Sequence, residues 1–148
     1  MRTHAVEVAG PWVLAIVFAV SGVAKAFNPQ PAMDTIGVLL GGWSPAWSGA
    51  VLVLVEVLLA AWLVSGFRPR AALVVAATLL FMFSVALGLL FWVSPESPCG
   101  CGLPALSGNT AVDKGIGIAR NALLIAIAAL AWPASNSLYS KTKESLTC

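Results

Sequence analysis

The sequence predicts an all-α integral membrane protein, a single-domain four-helix bundle. Of its 148 residues, 59% are hydrophobic and only 9% are charged, whereas a soluble domain carries about 25% charged residues. Such a chain lacks the polar residues that a soluble monomer or a disordered segment requires. Four apolar runs approach the length of about 20 residues that crosses the hydrocarbon core of a bilayer as a helix. None of them alternates apolar and polar residues in the way that the strands of a membrane barrel do.

The breaks between the apolar runs define the predicted spans. Each run ends at a segment that contains proline, which disfavours a continuing helix. Tryptophan side chains, which prefer the headgroup region of a bilayer, lie near the ends of the runs. The predicted spans cover about residues 11–27, 47–67, 71–93 and 114–132, and the outer loops cover residues 28–46 and 94–113.

Two short elements are predicted within these outer loops. Residues 31–40 are too few to span the bilayer, and they suit an interfacial helix that lies on the outer face. Thr110 and Asp113 resemble a capping box, so we expect the last helix to begin near Ala111.

The distribution of positive charge predicts the orientation. Both termini and the second-to-third loop share one side, which holds more basic residues than the other. The positive-inside rule therefore predicts cytoplasmic termini, and we expect a multi-pass protein of the bacterial inner (cytoplasmic) membrane. Cleavage of the first span as a signal peptide at Ala24-Lys25-Ala26 is the alternative, although a lysine fits such a site poorly. The basic residues on the predicted cytoplasmic side are Arg2, Arg68, Arg70, Lys141 and Lys143.

The most distinctive motif is Cys99-Gly100-Cys101, which lies between prolines in the second outer loop. Gly100 leaves the two cysteines room to approach within disulfide distance. A disulfide in so small a ring is strained, which suits thiol–disulfide exchange. A structural disulfide, inert thiols and capture of a soft ion such as Cu(I) are the alternatives. No zinc site is expected, because His4 and Cys148 are predicted on the opposite side.

Three charged residues are predicted inside the membrane: Lys25, Glu56 and Arg120. A charge at a helix centre costs about 2.5–3.5 kcal/mol on insertion scales, so it normally faces a partner inside the bundle. At 1.5 Å per residue from the outer helix ends, they lie roughly 5, 15 and 8 Å deep, respectively. We expect Glu56 to pair with Arg120 or Lys25 in a polar pocket beneath the cysteines, with Ser21 and Asn121 as further candidates. Alternatively, these charges only hold the helices together.

Several sequence elements, taken in order, resemble a known family. Over about residues 10–132, the chain is similar to the MauE branch of the DoxX-like membrane proteins. The resemblance implies a four-helix inner-membrane protein that acts in redox or thiol chemistry at the outer face. It implies that Cys99 and Cys101 form the pair that undergoes thiol–disulfide exchange. It also implies that Glu56, Lys25 and Arg120 occupy the polar positions of the family motif. The elements are residues 18–25 with Asn28-Pro29, residues 55–59, Arg68-Pro69-Arg70, residues 99–102 and residues 119–121.

These observations lead to a functional hypothesis. The chain would relay thiol–disulfide redox equivalents for maturation of periplasmic disulfide-containing proteins, of which the resemblance points to methylamine dehydrogenase. A periplasmic thioredoxin-like or disulfide-containing protein is the expected partner, and a quinone near Arg120 and Glu56 is a candidate electron acceptor. A transporter of soft heavy-metal ions and a non-catalytic subunit of a membrane complex are the alternatives. The sparse basic residues leave no stripe for nucleic acid.

Overall fold

The apolar runs of the chain form long helices. The computed structural model describes residues 2–94 and 110–132, with the backbone alone for residues 2–8. Four of its five helices are long and apolar enough to cross a membrane, and the described ranges contain no strand. The prediction of an all-helical chain with four such helices is therefore confirmed. The helices are α1 (Arg2–Phe27), α2 (Gln30–Leu39), α3 (Ser48–Ser65), α4 (Pro69–Val93) and α5 (Thr110–Ala131).

Several helix ends differ from the predicted span ends for local reasons. The α1 helix continues on the N-terminal side of Pro11, although its apolar stretch begins only at Ala9. The α3 helix ends at Ser65 because Gly66 adopts a left-handed conformation, with φ of 65°. The indole of Trp62 then donates a hydrogen bond of 2.7 Å to the carbonyl oxygen of Phe67, which closes the turn into α4.

The helices pack around one apolar core. The α1 helix packs mainly on α3 and α4 packs on α5, while contacts between α1 and α5 join the two pairs. Many other apolar side chains are exposed on the outer faces, among them Phe81, Met82 and Trp92. An apolar exterior around an apolar core is what a bilayer environment permits and water does not. The larger core residues are Leu14, Phe18, Leu59, Leu63, Leu73, Leu80 and Leu124.

Both ends of the bundle can be assigned from close contacts. Gly10 near the start of α1 faces Ala131 at the end of α5, so these two helix ends lie together. At the opposite end, Met33 of α2 contacts Gly49 at the start of α3. The end of α1, the start of α3, the end of α4 and the start of α5 therefore lie at one end with α2, and we name it the α2 end.

A close approach between α1 and α3 depends on Gly22. A Cβ atom placed on this residue would lie 3.1 Å from Cγ2 of Val57 and 3.4 Å from Cβ of Glu56. Gly22 is buried, and even a methyl group at this position requires the Val57 side chain to shift by a few tenths of an ångström. This glycine brings Glu56 close to the polar residues of α1.

Substitution of Gly22 tests this contact. We expect Gly22→Val to lower the free energy of unfolding by about 1–3 kcal/mol, because overpacking forces the two helices apart. The measurement is thermal or denaturant unfolding of the detergent-solubilised protein. Gly88→Val is the matched control, since a Cβ at Gly88 meets nothing within 4 Å. Equal losses in both variants would contradict the specific role of Gly22.

Candidate functional site

A buried ion pair lies at the α2 end. Nζ of Lys25, near the end of α1, donates hydrogen bonds to Oε1 and Oε2 of Glu56 in α3, at 2.8 and 3.1 Å. The Glu56 residue is fully buried and Lys25 is 5% exposed. Of the two partners considered for Glu56, the structure brings Lys25 into contact. The contact offsets part of the cost of holding either charge among apolar helices.

Two further side chains complete the surroundings of Lys25. Its Nζ also donates a hydrogen bond of 2.6 Å to Oγ of Ser21, which lies one helical turn earlier on the same face of α1. The Ser21 hydroxyl donates a longer hydrogen bond, 3.5 Å, to Oε1 of Glu56. The ring of Phe83 in α4 has its centroid 5.8 Å from Nζ, within cation–π range. Lys25 thus connects α1, α3 and α4.

The ion pair lines a cavity of about 210 Å³. Apolar residues of α1, α3 and α4 form most of its walls, and residues of α2 cover it. All five polar residues expected in the intramembrane pocket lie on its lining: Ser21, Lys25, Glu56, Arg120 and Asn121. The sequence offered no signal for its apolar lining, which includes Phe18, Leu52, Phe83 and Leu87 together with Ala32 and Ile36 of α2.

Arg120 differs from Lys25 in its environment. Its side chain is half-buried, and its terminal NH2 group donates a hydrogen bond of 3.5 Å to Oδ1 of Asn121. Its buried Nε has no hydrogen-bond partner within the described residues, and no carboxylate lies within ion-pair distance of Arg120 there. Because α5 begins at Thr110, Arg120 lies about 15 Å along this helix, deeper than expected. The guanidinium charge therefore contacts the cavity without a counter-ion from the described chain.

Lys114, the first residue of the last predicted span, lies near the start of α5 and is fully buried. Its Nζ donates a hydrogen bond of 2.7 Å to the carbonyl oxygen of Ser94, the residue after α4. This bond joins the two helices that flank the cysteine-containing segment. Cys99, Cys101 and Cys148 lie outside the described residues. Within the described ranges, no three His, Cys, Asp or Glu side chains are grouped as metal ligands.

A double-mutant cycle tests the buried ion pair. We expect Lys25→Met to lower the free energy of unfolding by about 3–5 kcal/mol, because it leaves Glu56 buried without its cation. The double variant Lys25→Met/Glu56→Leu should recover most of this loss, because both charges are then absent. Unfolding of four proteins in the same detergent, namely the original chain, Lys25→Met, Glu56→Leu and the double variant, measures the coupling. If the double variant is as unstable as the sum of the single variants, the charges do not interact.

Comparison with known proteins places this architecture in a family. No curated protein matches the sequence, and no solved structure matches it. The chain does match the family described as methylamine utilisation protein MauE, over residues 3–134. The match includes all four long helices and all five polar residues of the cavity, and it agrees with the resemblance that the sequence motifs indicated. The chain therefore belongs to the MauE family of membrane proteins, which is tied to methylamine utilisation.

Proposed function

We propose that the chain relays thiol–disulfide redox equivalents for maturation of periplasmic disulfide-containing proteins, such as methylamine dehydrogenase. The observation that carries this proposal is the Cys99-Gly100-Cys101 motif in the segment that joins α4 to α5. Both flanking helices have their loop ends at the α2 end of the bundle, where Lys114 binds the carbonyl of Ser94. The anchors of the cysteine segment are therefore held at the same end as the cavity.

The exchange itself needs only the two cysteines and a partner with two thiols. A thiolate of the partner attacks the Cys99–Cys101 disulfide, which breaks that bond and forms a mixed disulfide. The second partner thiolate then attacks the mixed disulfide. The partner leaves with a new disulfide, and Cys99 and Cys101 each gain an electron and a proton. Transfer in the opposite direction uses the same steps in reverse and reduces a partner disulfide.

Continued oxidation of partners requires an electron acceptor for the reduced pair. Each turnover must remove two electrons and two protons from Cys99 and Cys101. A thioredoxin-like periplasmic protein in its disulfide form meets this requirement through the same exchange chemistry. A membrane quinone meets it by becoming a hydroquinone.

The orientation follows from charge. Arg68 and Arg70 lie at the turn between α3 and α4, opposite the α2 end. By the positive-inside rule, this opposite end faces the cytoplasm together with both termini. The α2 end and the cysteine segment then face the periplasm, where thiols tend to be oxidised. This orientation belongs to the bacterial cytoplasmic membrane.

Single-cysteine variants test the exchange. We expect Cys99→Ser and Cys101→Ser each to accumulate a partner in an adduct that dithiothreitol releases, because the remaining thiol forms a mixed disulfide that it cannot resolve. Non-reducing electrophoresis of cells that express the variants detects the adduct. Cys148→Ser is the control, and it should leave the pattern of the original chain unchanged. Absence of an adduct in both variants, with normal maturation of the disulfide-containing protein, would disprove the relay.

Labelling of Cys148 tests the orientation. We expect a membrane-impermeant maleimide to leave Cys148 unlabelled in spheroplasts of a Cys99→Ser/Cys101→Ser strain, because the C-terminus faces the cytoplasm. Permeabilised cells of the same strain should show full labelling, which establishes that the thiol is reactive. Labelling before permeabilisation would place the termini outside and the α2 end inside.

A further inference from the structure

The cavity at the α2 end carries an unbalanced positive charge. Three of the described residues that line it are charged: Lys25, Glu56 and Arg120. Lys25 and Glu56 neutralise each other through direct contacts. Arg120 remains, and in the described part of the chain its polar contact is the 3.5 Å hydrogen bond to Asn121. The described residues that line the cavity therefore carry a formal charge of +1.

A guanidinium without a counter-ion raises the free energy of the protein at this depth in the membrane. Charged residues inside a membrane normally pair with one another or line a functional site, because the surrounding hydrocarbon does not stabilise charge. The nearby carboxylate of Glu56 already accepts hydrogen bonds from Lys25 and Ser21. An anion that entered the cavity would supply the missing partner to Arg120.

The shape of the cavity limits the kind of anion. Its volume of about 210 Å³ exceeds the roughly 150 Å³ of an apolar cavity that admits a benzene molecule. A small head and part of a hydrocarbon chain therefore fit together. The planar donor fork of arginine matches a carboxylate, and the leucine and phenylalanine walls match hydrocarbon.

The position of the cavity provides a route to the bilayer. Its lining includes Leu52 of α3 and Phe83 of α4, two helices that contact each other little. Residues of α2 cover this gap, and Leu39 at its rim is exposed. A chain that begins at Arg120 can extend along this apolar gap beneath α2 toward the exposed Leu39.

We infer that this cavity binds a single-chain amphiphile with a carboxylate head, such as a fatty acid. The carboxylate accepts hydrogen bonds from Arg120, and the hydrocarbon chain lies against Leu52, Phe83 and Leu87. A phosphate head with its glycerol is bulkier and lacks the planar match to the guanidinium. This inference goes beyond the thiol relay, because it rests on Arg120 and apolar side chains, and none of the described residues that line the cavity is a cysteine.

Displacement of a fluorescent fatty acid tests the inference. The full chain, purified in a non-ionic detergent, is titrated with cis-parinaric acid, whose fluorescence rises in apolar surroundings. We expect saturable binding that oleate displaces. Methyl oleate has no charge, and it should displace the probe at least about tenfold more weakly, since it lacks a charge-assisted hydrogen bond. Equal displacement by methyl oleate, or displacement by decylubiquinone or oleoyl lysophosphatidic acid but not by oleate, would overturn the inference.

Two variants locate the probe in this cavity. Arg120→Gln should weaken probe binding by about tenfold or more, whereas Arg68→Gln, which removes an exposed arginine outside the cavity, should not. Ala86 of α4 also lines the cavity. The variant Ala86→Phe retains all three charges and fills the cavity, so it should abolish binding even if Arg120→Gln fails to fold. Unchanged affinity in Ala86→Phe, or in a folded Arg120→Gln protein, would overturn the inference.

The same assay separates this inference from the thiol relay. The Cys99→Ser/Cys101→Ser protein should bind the probe with the affinity of the original chain, since the cavity lies among the helices. Loss of probe binding in this double variant would overturn the assignment of the site to the helical cavity. Failure of the trapping experiment would disprove the relay and leave fatty-acid binding intact.

Discussion

The architecture depends on one constraint, which is that a charge inside a membrane bundle must be neutralised or satisfied there. The contact between Lys25 and Glu56 meets this constraint and determines how α1 and α3 face each other. Gly22 allows α1 and α3 to approach closely enough for this contact, because a larger side chain would meet Val57 and Glu56. Removal of one partner alone is costly, because it leaves the other charge buried without a counter-ion. The intact pair adds little net stability, because both charges lose their hydration when the protein folds. It therefore specifies helix pairing more than it adds net stability.

Features with potential for chemistry concentrate at the α2 end. The cavity with its charged residues lies there beneath α2, and the helices that flank the cysteine segment are joined there by Lys114 and Ser94. The opposite half of the bundle is packed by apolar and small residues, with Gly10 against Ala131. The packed apolar half supports the polar residues of the cavity, because a site needs side chains that are held in place by their neighbours.

Much of the site could be predicted from residue type alone. Lys25, Glu56 and Arg120 were candidates because charged residues are rare in apolar runs, and the structure brings all three to one cavity. The choice of Lys25 over Arg120 as the partner of Glu56 could not be predicted. The depths estimated along each helix left both Lys25 and Arg120 within reach of Glu56. Only the rotation and packing of the helices decide which of the two cations contacts it. For the same reason, no sequence pattern indicated the burial of Lys114 or the cation–π contact of Phe83 with Lys25.

The sequence by itself determined the membrane environment, the four long helices and the charged residues that need a partner. These properties follow from composition and from the length of apolar runs, which are local along the chain. Tertiary structure decided the ion pair, the cover that α2 forms over the cavity, and the isolation of Arg120 from any described carboxylate. These properties depend on distances between helices that are far apart in sequence. Such distances are set by close contacts such as that of Gly22 with Val57.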